Sequence, residues 1–285
     1  MIYGFIDEQR VNYSVQRLCQ GLNVSPSGYY AWQRRPPSPR QLVNQALLVH
    51  IRAIHAAMRQ TYGSPRIHAE LRAHGWRINL KRVVRLMRVH HIQARHKRKY
   101  RITTQVDRNL PVAPNRLAQN FQAALPNQKW ATDVTCVPTA EGWLYLAAVL
   151  DLCSRRIIGW AMSPSNDTDL VLCALQMALG RRQPGAHTLH HSDRAKPYAS
   201  TSYRGLLDAQ HFTVSMSGKG NCYDNAPMES FFGTLKVELI HRRRYHTRDE
   251  ARQDIVEYIE GFYNARRRHS ALGYRSPLEF ELAMA

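Results

Sequence analysis

Features of membrane-spanning, secreted and disulfide-linked proteins are missing from this sequence. The 285 residues contain no run of about 18 apolar residues, so no membrane-spanning helix is expected. Residues 1–8 lack a charged segment followed by a long apolar stretch and a small-residue cleavage site, so no secretory signal is expected. The five cysteines are odd in number and form no Cys-x-x-Cys pair. They are typical of reduced core thiols in a cytoplasmic protein and do not suggest a zinc site.

Acidic residues are scarce in the first part of the chain. Residues 1–129 contain 22 Lys and Arg but only 4 Asp and Glu, whereas residues 130–285 contain 18 and 17. Nearly all of the formal net charge of +19 therefore lies before residue 130. An excess of this size indicates an anionic partner such as a nucleic acid. With 44% hydrophobic residues, the chain can bury cores, and its length predicts two or three domains.

The first part of the chain divides into two helical modules separated by a basic, proline-rich linker. In residues 1–35, apolar side chains recur on one helical face over residues 14–22, and Ser25 and Pro26 then start a second helix. This pattern predicts a helix-turn-helix module. The second module covers residues 40–92. Its helices are predicted at residues 42–58, 65–74 and 80–89.

The last of these helices combines an apolar line with a basic face. Asn79 is expected to cap it, and Gly75 to end the helix before it. A basic helix after a short glycine-containing turn is the layout of a major-groove reader, although a solvated surface helix shows the same charges. Residues 93–125 form a basic connector that is expected to follow the phosphate backbone. The DNA contacts predicted in these segments are Lys81, Arg82, Arg85, Arg88, Lys97, Arg98 and Lys99.

From residue 126 onward the pattern changes to strands and helices. Three strand patterns come first and further strands then alternate with helices, which predicts an α/β domain over residues 126–240. Its mixed sheet of five strands is expected to pack against helices. Residues 241–285 are predicted as a basic C-terminal helical segment. The strands are expected at residues 130–137, 143–152, 156–162, 186–190 and 212–216, and the helices at 167–179, 198–210 and 225–240.

Three acidic residues fall where such a sheet would gather them. Asp133 lies on the first strand, Asp193 follows the fourth strand, and Glu229 lies in the first turns of the last helix. Lys236 returns to nearly the same helical angle as Glu229. Carboxylates without thiolates suit Mg²⁺ or Mn²⁺, and two such ions roughly 3.5–4 Å apart can promote phosphodiester displacement. On spacing alone, ordinary surface charge is the favoured interpretation of the three acids.

The residues around each acid resemble the transposases of bacterial insertion sequences that share the retroviral-integrase catalytic core. More narrowly, they resemble the second-frame subunit, OrfB, of the family that makes its transposase by frameshifting. Thirty-five residues separate Asp193 from Glu229, which is the spacing of that family's Asp-Asp-Glu signature. The resemblance covers essentially the whole chain. The matching segments are Trp130–Thr135, Asp151–Trp160, His191–Arg194, Ser217–Lys236, Tyr263-Asn264, Arg268-His269, Leu272-Gly273 and Pro277.

The resemblance implies a fold, a chemistry and partners. The fold is a ribonuclease-H-like integrase core, in which Asp133, Asp193 and Glu229 are the catalytic metal ligands for Mg²⁺ or Mn²⁺, with two ions in each site. Lys236 is implied to contact DNA near the cleaved phosphate. The activity is cleavage at the element's terminal inverted repeats, followed by attack of the freed 3′-hydroxyl on target DNA. A homo-oligomer in the bacterial cytoplasm, on the nucleoid, and a first-frame (OrfA) partner or fusion are also implied.

Other residues of these motifs are open to structural interpretations. Asp151, Asp224 and Asn225 are expected to have local structural roles. His191 either supports the metal site or is a hydrogen-bonded structural histidine. The pattern around Tyr263, Arg268 and His269 favours equally DNA contacts or a packing corner. The runs Arg242–Arg244 and Arg266–Arg268 are expected to contact phosphates, with solvated surface charge as the alternative.

One segment departs from the family pattern. After Arg194 the family continues with glycine, a small polar residue and glutamine, whereas this chain has Ala195-Lys196-Pro197. A stiffer and more basic loop is expected there, either tuning the approach of substrate or marking an inactive copy. Two alternatives to a transposase follow: a catalytically silent DNA-binding regulator of its own element, and a nuclease that cuts without joining.

Overall fold

The computed structural model describes residues 2–94, 113–218 and 221–284. The chain divides into two compact units, Met1–Ala53 and Ile54–Ala285, and the division falls inside a long helix. In the described part of the chain, no helix has both the length and the apolar character that crossing a membrane requires.

The first unit is helical, as its periodicity predicts. It contains α1 (Ile2–Gln9), α2 (Val15–Gly21), α3 (Pro26–Arg34) and the first part of α4 (Pro39–Ala57). The side-chain oxygens of Ser14 and Ser25 accept backbone N–H groups at the starts of α2 and α3, which are the bonds that an N-cap supplies. Its small core consists of Ile6, Cys19 and Tyr29.

The second unit begins with the end of α4 and two further helices, α5 (Ser64–Ala73) and α6 (Leu80–Val89). Gly75 lies just after the end of α5 and has a φ of +85°, a left-handed conformation that glycine adopts without strain. Asn79 caps α6 as predicted, because its side-chain oxygen accepts the Arg82 N–H at 2.9 Å. The two helices bury facing apolar side chains: Ile67, Leu71, Val83, Leu86 and Met87.

A five-stranded mixed sheet forms the centre of the second unit. Strands β1 (Lys129–Thr139), β2 (Gly142–Asp151) and β3 (Ile157–Ser163) form an antiparallel meander. Strands β4 (Leu189–Ser192) and β5 (Thr213–Met216) continue the sheet in parallel on the other side of β1. The strand order β3-β2-β1-β4-β5 is that of a ribonuclease-H-like fold, so the predicted α/β class is confirmed.

Helices cover the sheet and bring loops to its edge. The helices that follow the meander are α7 (Thr168–Arg181), α8 (Thr201–Ala209) and α9 (Ala226–Glu238), with 3-10 turns at Lys196–Ala199 and Cys222–Asn225. Helix α7 lies very close to β3, and a Cβ on Gly159 would be 2.2 Å from the carbonyl oxygen of Ala174. Only glycine permits this approach, so Gly159 sets how closely the helix packs on the sheet.

The C-terminal segment is helical but irregular. It contains a 3-10 turn at Ile240–Arg242, α10 (Arg248–Val256), a π-helix at Glu257–Asn264, a 3-10 turn at Ser270–Leu272 and α11 (Pro277–Leu282). The π-helix buries Tyr258, Ile259, Phe262 and Tyr263. Wide π turns of this kind occur most often where a protein has a functional reason to tolerate them.

Two predicted boundaries were wrong. The fourth strand was expected at residues 186–190 but runs over Leu189–Ser192, because His187 has a φ of +70° and the extended backbone starts only after it. The helix expected at residues 198–210 starts at Thr201, because Ser200 accepts the Tyr203 N–H and begins a new helix there.

Candidate active site

Asp133 lies on β1, and Asp193 directly follows β4, the parallel neighbour of β1. Strands β1 and β4 are paired so that Ala131 lies opposite His191. Continuing this register by two positions places Asp133 alongside Asp193, which follows directly after β4. Parallel neighbours are about 4.8 Å apart, so both carboxylates project from the same edge region of the sheet.

The third acid is brought to this edge by a hydrogen bond from Asn225. Its Nδ2 atom donates to the backbone oxygen of Thr132 at 3.1 Å, which ties the start of α9 to the residue before Asp133. Glu229 lies one turn further along α9, and α9 packs against β1. Lys236 follows seven residues later and is half-buried.

The charges of these residues act on one another. Burial raises the pKa of Asp133 well above its usual value, and the negative charges of Asp193 and Glu229 raise it further. The Val134 N–H, which donates to Asp133 Oδ1 at 2.8 Å, and the charge of Lys236 act in the opposite direction. Burial also raises the pKa of Asp193, although the Ala195 N–H donates to its Oδ1 at 3.0 Å.

The donor set fits a divalent cation in chemistry and charge. Among the described residues, neither Asp133 nor Asp193 forms an ion pair with a cationic side chain. Repelling carboxylate oxygens held by backbone donors are the ligands that Mg²⁺ and Mn²⁺ prefer. Within the described ranges, no three His, Cys, Asp or Glu side chains form a group that could hold a metal ion as they stand.

Asp224 organises the loops around this edge. Its carboxylate accepts the Gly218 N–H at 2.7 Å and the Asn221 Nδ2 at 2.8 Å, both from the loop before α9. It also accepts Asn115 Nδ2 at 2.9 Å and Gln119 Nε2 at 3.1 Å, from the segment that precedes β1. These contacts agree with the local structural role expected for Asp224 and show how the start of α9 is held.

His191 is buried in a hydrogen-bonded position. Its ring nitrogens lie 2.9 Å from Ser215 Oγ and 3.1 Å from Ser217 Oγ. Burial lowers the pKa of His191 to about 4, so the ring is neutral at pH 7. Of the two interpretations that the sequence left open, these contacts favour the structural one.

The segment that departs from the family pattern forms an ordered turn. Pro197, Tyr198 and Ala199 are buried within the 3-10 turn, while Lys196 is exposed. The Tyr198 hydroxyl lies 3.2 Å from Thr132 Oγ1, so this turn contacts the strand that carries Asp133. Sequence reasoning missed Tyr198; its only signal is an aromatic residue directly after the unusual proline.

The predicted DNA contacts on α6 are accessible. Lys81, Arg85 and Arg88 are exposed, whereas Arg82 is half-buried. Val83, Leu86 and Met87 face the protein, so the basic side chains occupy the outer face. Lys97, Arg98 and Lys99 lie outside the described residues.

Asp151 is buried at the end of β2. Its carboxylate accepts the backbone N–H groups of Asn127, Cys153 and Ser154 at 2.6 to 3.0 Å. It therefore has the structural role expected for it.

The C-terminal arginines were partly misassigned. Arg267 and Arg268 were expected to contact phosphates, but each is largely buried and paired with a glutamate. His269 stacks edge-on against Tyr263 with ring centres 5.0 Å apart, and burial lowers the pKa of His269 to about 2. This region is therefore the packing corner of the two possibilities. Arg244 and Arg266 are exposed.

Comparisons with known proteins agree with this architecture. The model of an integrase core domain matches residues 123–222, a second integrase core model matches residues 229–283, and the model of an HTH-like domain matches residues 43–100. The chain is 44% identical to the transposase InsF of insertion sequence IS3A from Escherichia coli K12, over 99% of this chain and 98% of that protein. The chain belongs to the IS3 family of insertion-sequence transposases. The resemblance inferred from its motifs is thereby confirmed.

Other similar proteins extend this comparison. The transposase is 46% identical to a 31 kDa protein of insertion element IS600 from Shigella sonnei, over 92% of this chain and 97% of that one. A simian T-cell lymphotropic virus intasome structure aligns with a TM-score of 0.48 at 13% identity, over 80% of this chain and 73% of that one. The magnesium-bound HTLV-2 integrase catalytic core aligns with a TM-score of 0.42 at 13% identity, covering 56% and 99%.

Proposed function

We propose that this transposase cuts and joins DNA with Asp133, Asp193 and Glu229 as ligands of divalent cations, and that it acts on the ends of its own element. The observation that carries the proposal is that Asp133 lies on β1, Asp193 directly follows the adjacent parallel strand β4, and the start of α9 is hydrogen-bonded to β1. Among the described residues, neither Asp133 nor Asp193 forms an ion pair that would offset the cost of burying its charge.

The cations, when bound there, supply charge neutralisation at the phosphate and an activated oxygen nucleophile. The chain's own residues orient the ligands: the N–H groups of Val134 and Ala195 fix one carboxylate oxygen each, and Asn225 fixes the start of α9. In this proposal Lys236, whose charge acts on Asp133, also offsets the charge of the phosphate beside Glu229.

The reaction proceeds in two phosphoryl-transfer steps. In the first, water adds to the phosphorus at the element's end and the 3′ oxygen leaves with a proton. In the second, that 3′-hydroxyl attacks a target phosphodiester in line and displaces its 3′ oxygen. One phosphodiester is broken and one is formed in the second step, so no external energy source is required.

Double-stranded DNA is the partner that the charge distribution supports. The exposed face of α6 carries Lys81, Arg85 and Arg88, and these side chains are suited to hold phosphates at the element's terminal repeats. Joining two ends to one target requires two active sites, so we propose a homo-oligomer on DNA. A first-frame partner or fusion completes the proposed enzyme, in the bacterial cytoplasm on the nucleoid.

The test is Mg²⁺-dependent cleavage and strand transfer on a duplex carrying the element's own end. The purified chain, its Asp193→Asn variant and a fusion with the upstream frame are compared, with Asp208→Asn as a control because Asp208 is an exposed aspartate outside the site. Joined products that need Mg²⁺, persist in Asp208→Asn and vanish in Asp193→Asn are the expected result.

Each other outcome points to a different protein. Cut ends without joined products would indicate a nuclease. Tight DNA binding without cleavage in any of these proteins would indicate a regulator with a silent core and would overturn the proposal.

A further inference from the structure

Two consecutive arginines in the C-terminal segment pair with acids on two different parts of the second unit. Arg267 donates from Nε and Nη2 to both carboxylate oxygens of Glu238, at 2.8 to 3.1 Å. Arg268 donates from the same two atoms to the carboxylate of Glu70, at 2.7 and 3.1 Å. Glu238 ends α9, the helix of Glu229, and Glu70 lies on α5, the helix that precedes α6.

Glu70 is an unusual residue in its part of the sequence. Between Glu8 and Asp107 the chain contains no other acidic residue. Its side chain is only 7% exposed, so it contributes little to the surface that DNA would meet. Glu70 is thus an isolated acid in a strongly basic module, and it is buried against an arginine from a distant part of the sequence. This combination indicates a specific contact.

Both arginines are held by further hydrogen bonds. The Arg268 N–H donates to the Tyr62 hydroxyl at 2.7 Å, and Arg268 Nη1 donates to the Tyr274 backbone oxygen at 2.7 Å. On the other side, the Tyr258 hydroxyl donates to Glu238 at 2.7 Å. Side chains fixed by this many directional bonds cannot shift independently of one another.

Ion pairs this deeply buried are weak evidence for stability, because desolvation offsets most of the attraction. Their contribution is to geometry, because two bidentate pairs fix both the distance and the angle between the elements they join. The two arginines are adjacent in the chain, so the C-terminal half of α5, which carries Glu70, and the end of α9 are held at one fixed offset. Helix α6 packs against α5, so its orientation follows from the same contact.

We infer that Arg267 and Arg268 are positioning residues that hold the basic helix α6 at a fixed offset from the carboxylates, and so select which phosphodiester is cut. This inference rests on the proposed function, because it needs α6 to bind DNA and Glu229 to act in cleavage. Glu229 lies nine residues before Glu238, about 13 Å along α9, so any rotation at the arginine pair is passed to the site along a rigid helix.

The experiment measures where the DNA is cut as well as how fast. Wild type, Arg268→Met and the double variant Glu70→Gln/Arg268→Met are compared on a duplex carrying the element's end, with cut positions read at single-nucleotide resolution. The double variant removes both charges and leaves no unpaired buried carboxylate, so its melting temperature is expected to return toward that of wild type. Arg252→Met is the control, because Arg252 is a half-buried arginine of α10 whose one ion pair among the described residues is with the exposed Asp249.

The expected result is that both variants bind the end duplex within about 3-fold of wild type but cut at several neighbouring phosphates, with about 10- to 100-fold less product at the correct one. Arg252→Met cuts at the wild-type position. A double variant that folds and cuts only at the wild-type phosphate, at the wild-type rate, overturns the inference. Absence of Mg²⁺-dependent cleavage by wild type itself would instead overturn the proposed function.

Discussion

Buried carboxylates have opposite electrostatic surroundings in two regions of the transposase. At the sheet edge, burial and the charge of Asp193 raise the pKa of Asp133, and no ion pair among the described residues compensates either aspartate. In the C-terminal segment, burial also raises the pKa of Glu281, but hydrogen bonds from Ser154 and Arg156 bring the net value below the usual one. The glutamates of the buried ion pairs have cationic partners, whereas the acids proposed to hold metal ions repel one another.

The contrast between proposed metal ligands and ion-paired acids can be tested on a single helix, because Glu229 and Glu238 both belong to α9. Glu229→Gln is expected to leave the fold intact and lower strand transfer by on the order of 1,000-fold or more, because a metal ligand contributes several kcal/mol to the transition state. The measurement is strand-transfer rate together with the melting temperature.

Glu238→Gln is the matched change on the same helix. It leaves Arg267 buried and unpaired, so the free energy of unfolding is expected to fall by about 3–5 kcal/mol. If Glu229→Gln destabilised the protein as much as Glu238→Gln, the two glutamates would have the same role and the contrast would fail.

Removing the hydrogen bond from Asn225 tests how the site is held together. Asn225→Ala loses the tie between α9 and β1, and strand transfer is expected to fall by about 10- to 100-fold with a higher Mg²⁺ requirement. The Mg²⁺ concentration at half-maximal rate is the readout. Ser230→Ala, a change at an exposed position of the same helix, should match wild type. An unchanged Mg²⁺ requirement in Asn225→Ala would show that the hydrogen bond between α9 and β1 does not affect metal binding.

Neutralising Asp133 is expected to stabilise the metal-free protein while abolishing activity. A raised folded-state pKa means that the stability from protonated Asp133 is present below the unfolded pKa and is lost as pH rises through the folded one. At neutral pH, Asp133→Asn should therefore raise the melting temperature by roughly 2–4 °C without Mg²⁺, with the difference vanishing at acid pH. A lower melting temperature at neutral pH would mean that the carboxylates do not repel in solution.

The smallest effects are expected on α6. Replacing Arg85 or Arg88 with alanine removes one phosphate contact, so end binding should weaken and the salt dependence of log Kd should fall by about 1 per residue. Binding titrations at several salt concentrations measure this slope. Arg204→Ala, an exposed change on α8, should leave the slope unchanged, and an equal effect there would show that the charge acts non-specifically.

The sequence predicts the three acids of the candidate active site better than the contacts that hold the surrounding helices in place. Asp133 lies within a strand, Asp193 follows one and Glu229 lies near a helix start, and the positions of these elements depend on local patterns and on family motifs. The ion pair between Glu70 and Arg268 joins residues 198 positions apart, and a run of arginines carries no information about which acid faces it. The boundary of β4 was misplaced for a local reason, because the left-handed conformation of His187 leaves no mark in the hydrophobic pattern.

The central claim is that the carboxylates at the sheet edge hold divalent cations when the DNA end is bound. Mn²⁺ titration of the wild-type transposase with a precut end duplex, followed by electron paramagnetic resonance, counts the bound ions, with Asp193→Asn and Asp208→Asn beside it. The account predicts tightly bound Mn²⁺ in wild type and Asp208→Asn that is lost in Asp193→Asn. The same amount of tightly bound Mn²⁺ in all three proteins would contradict it.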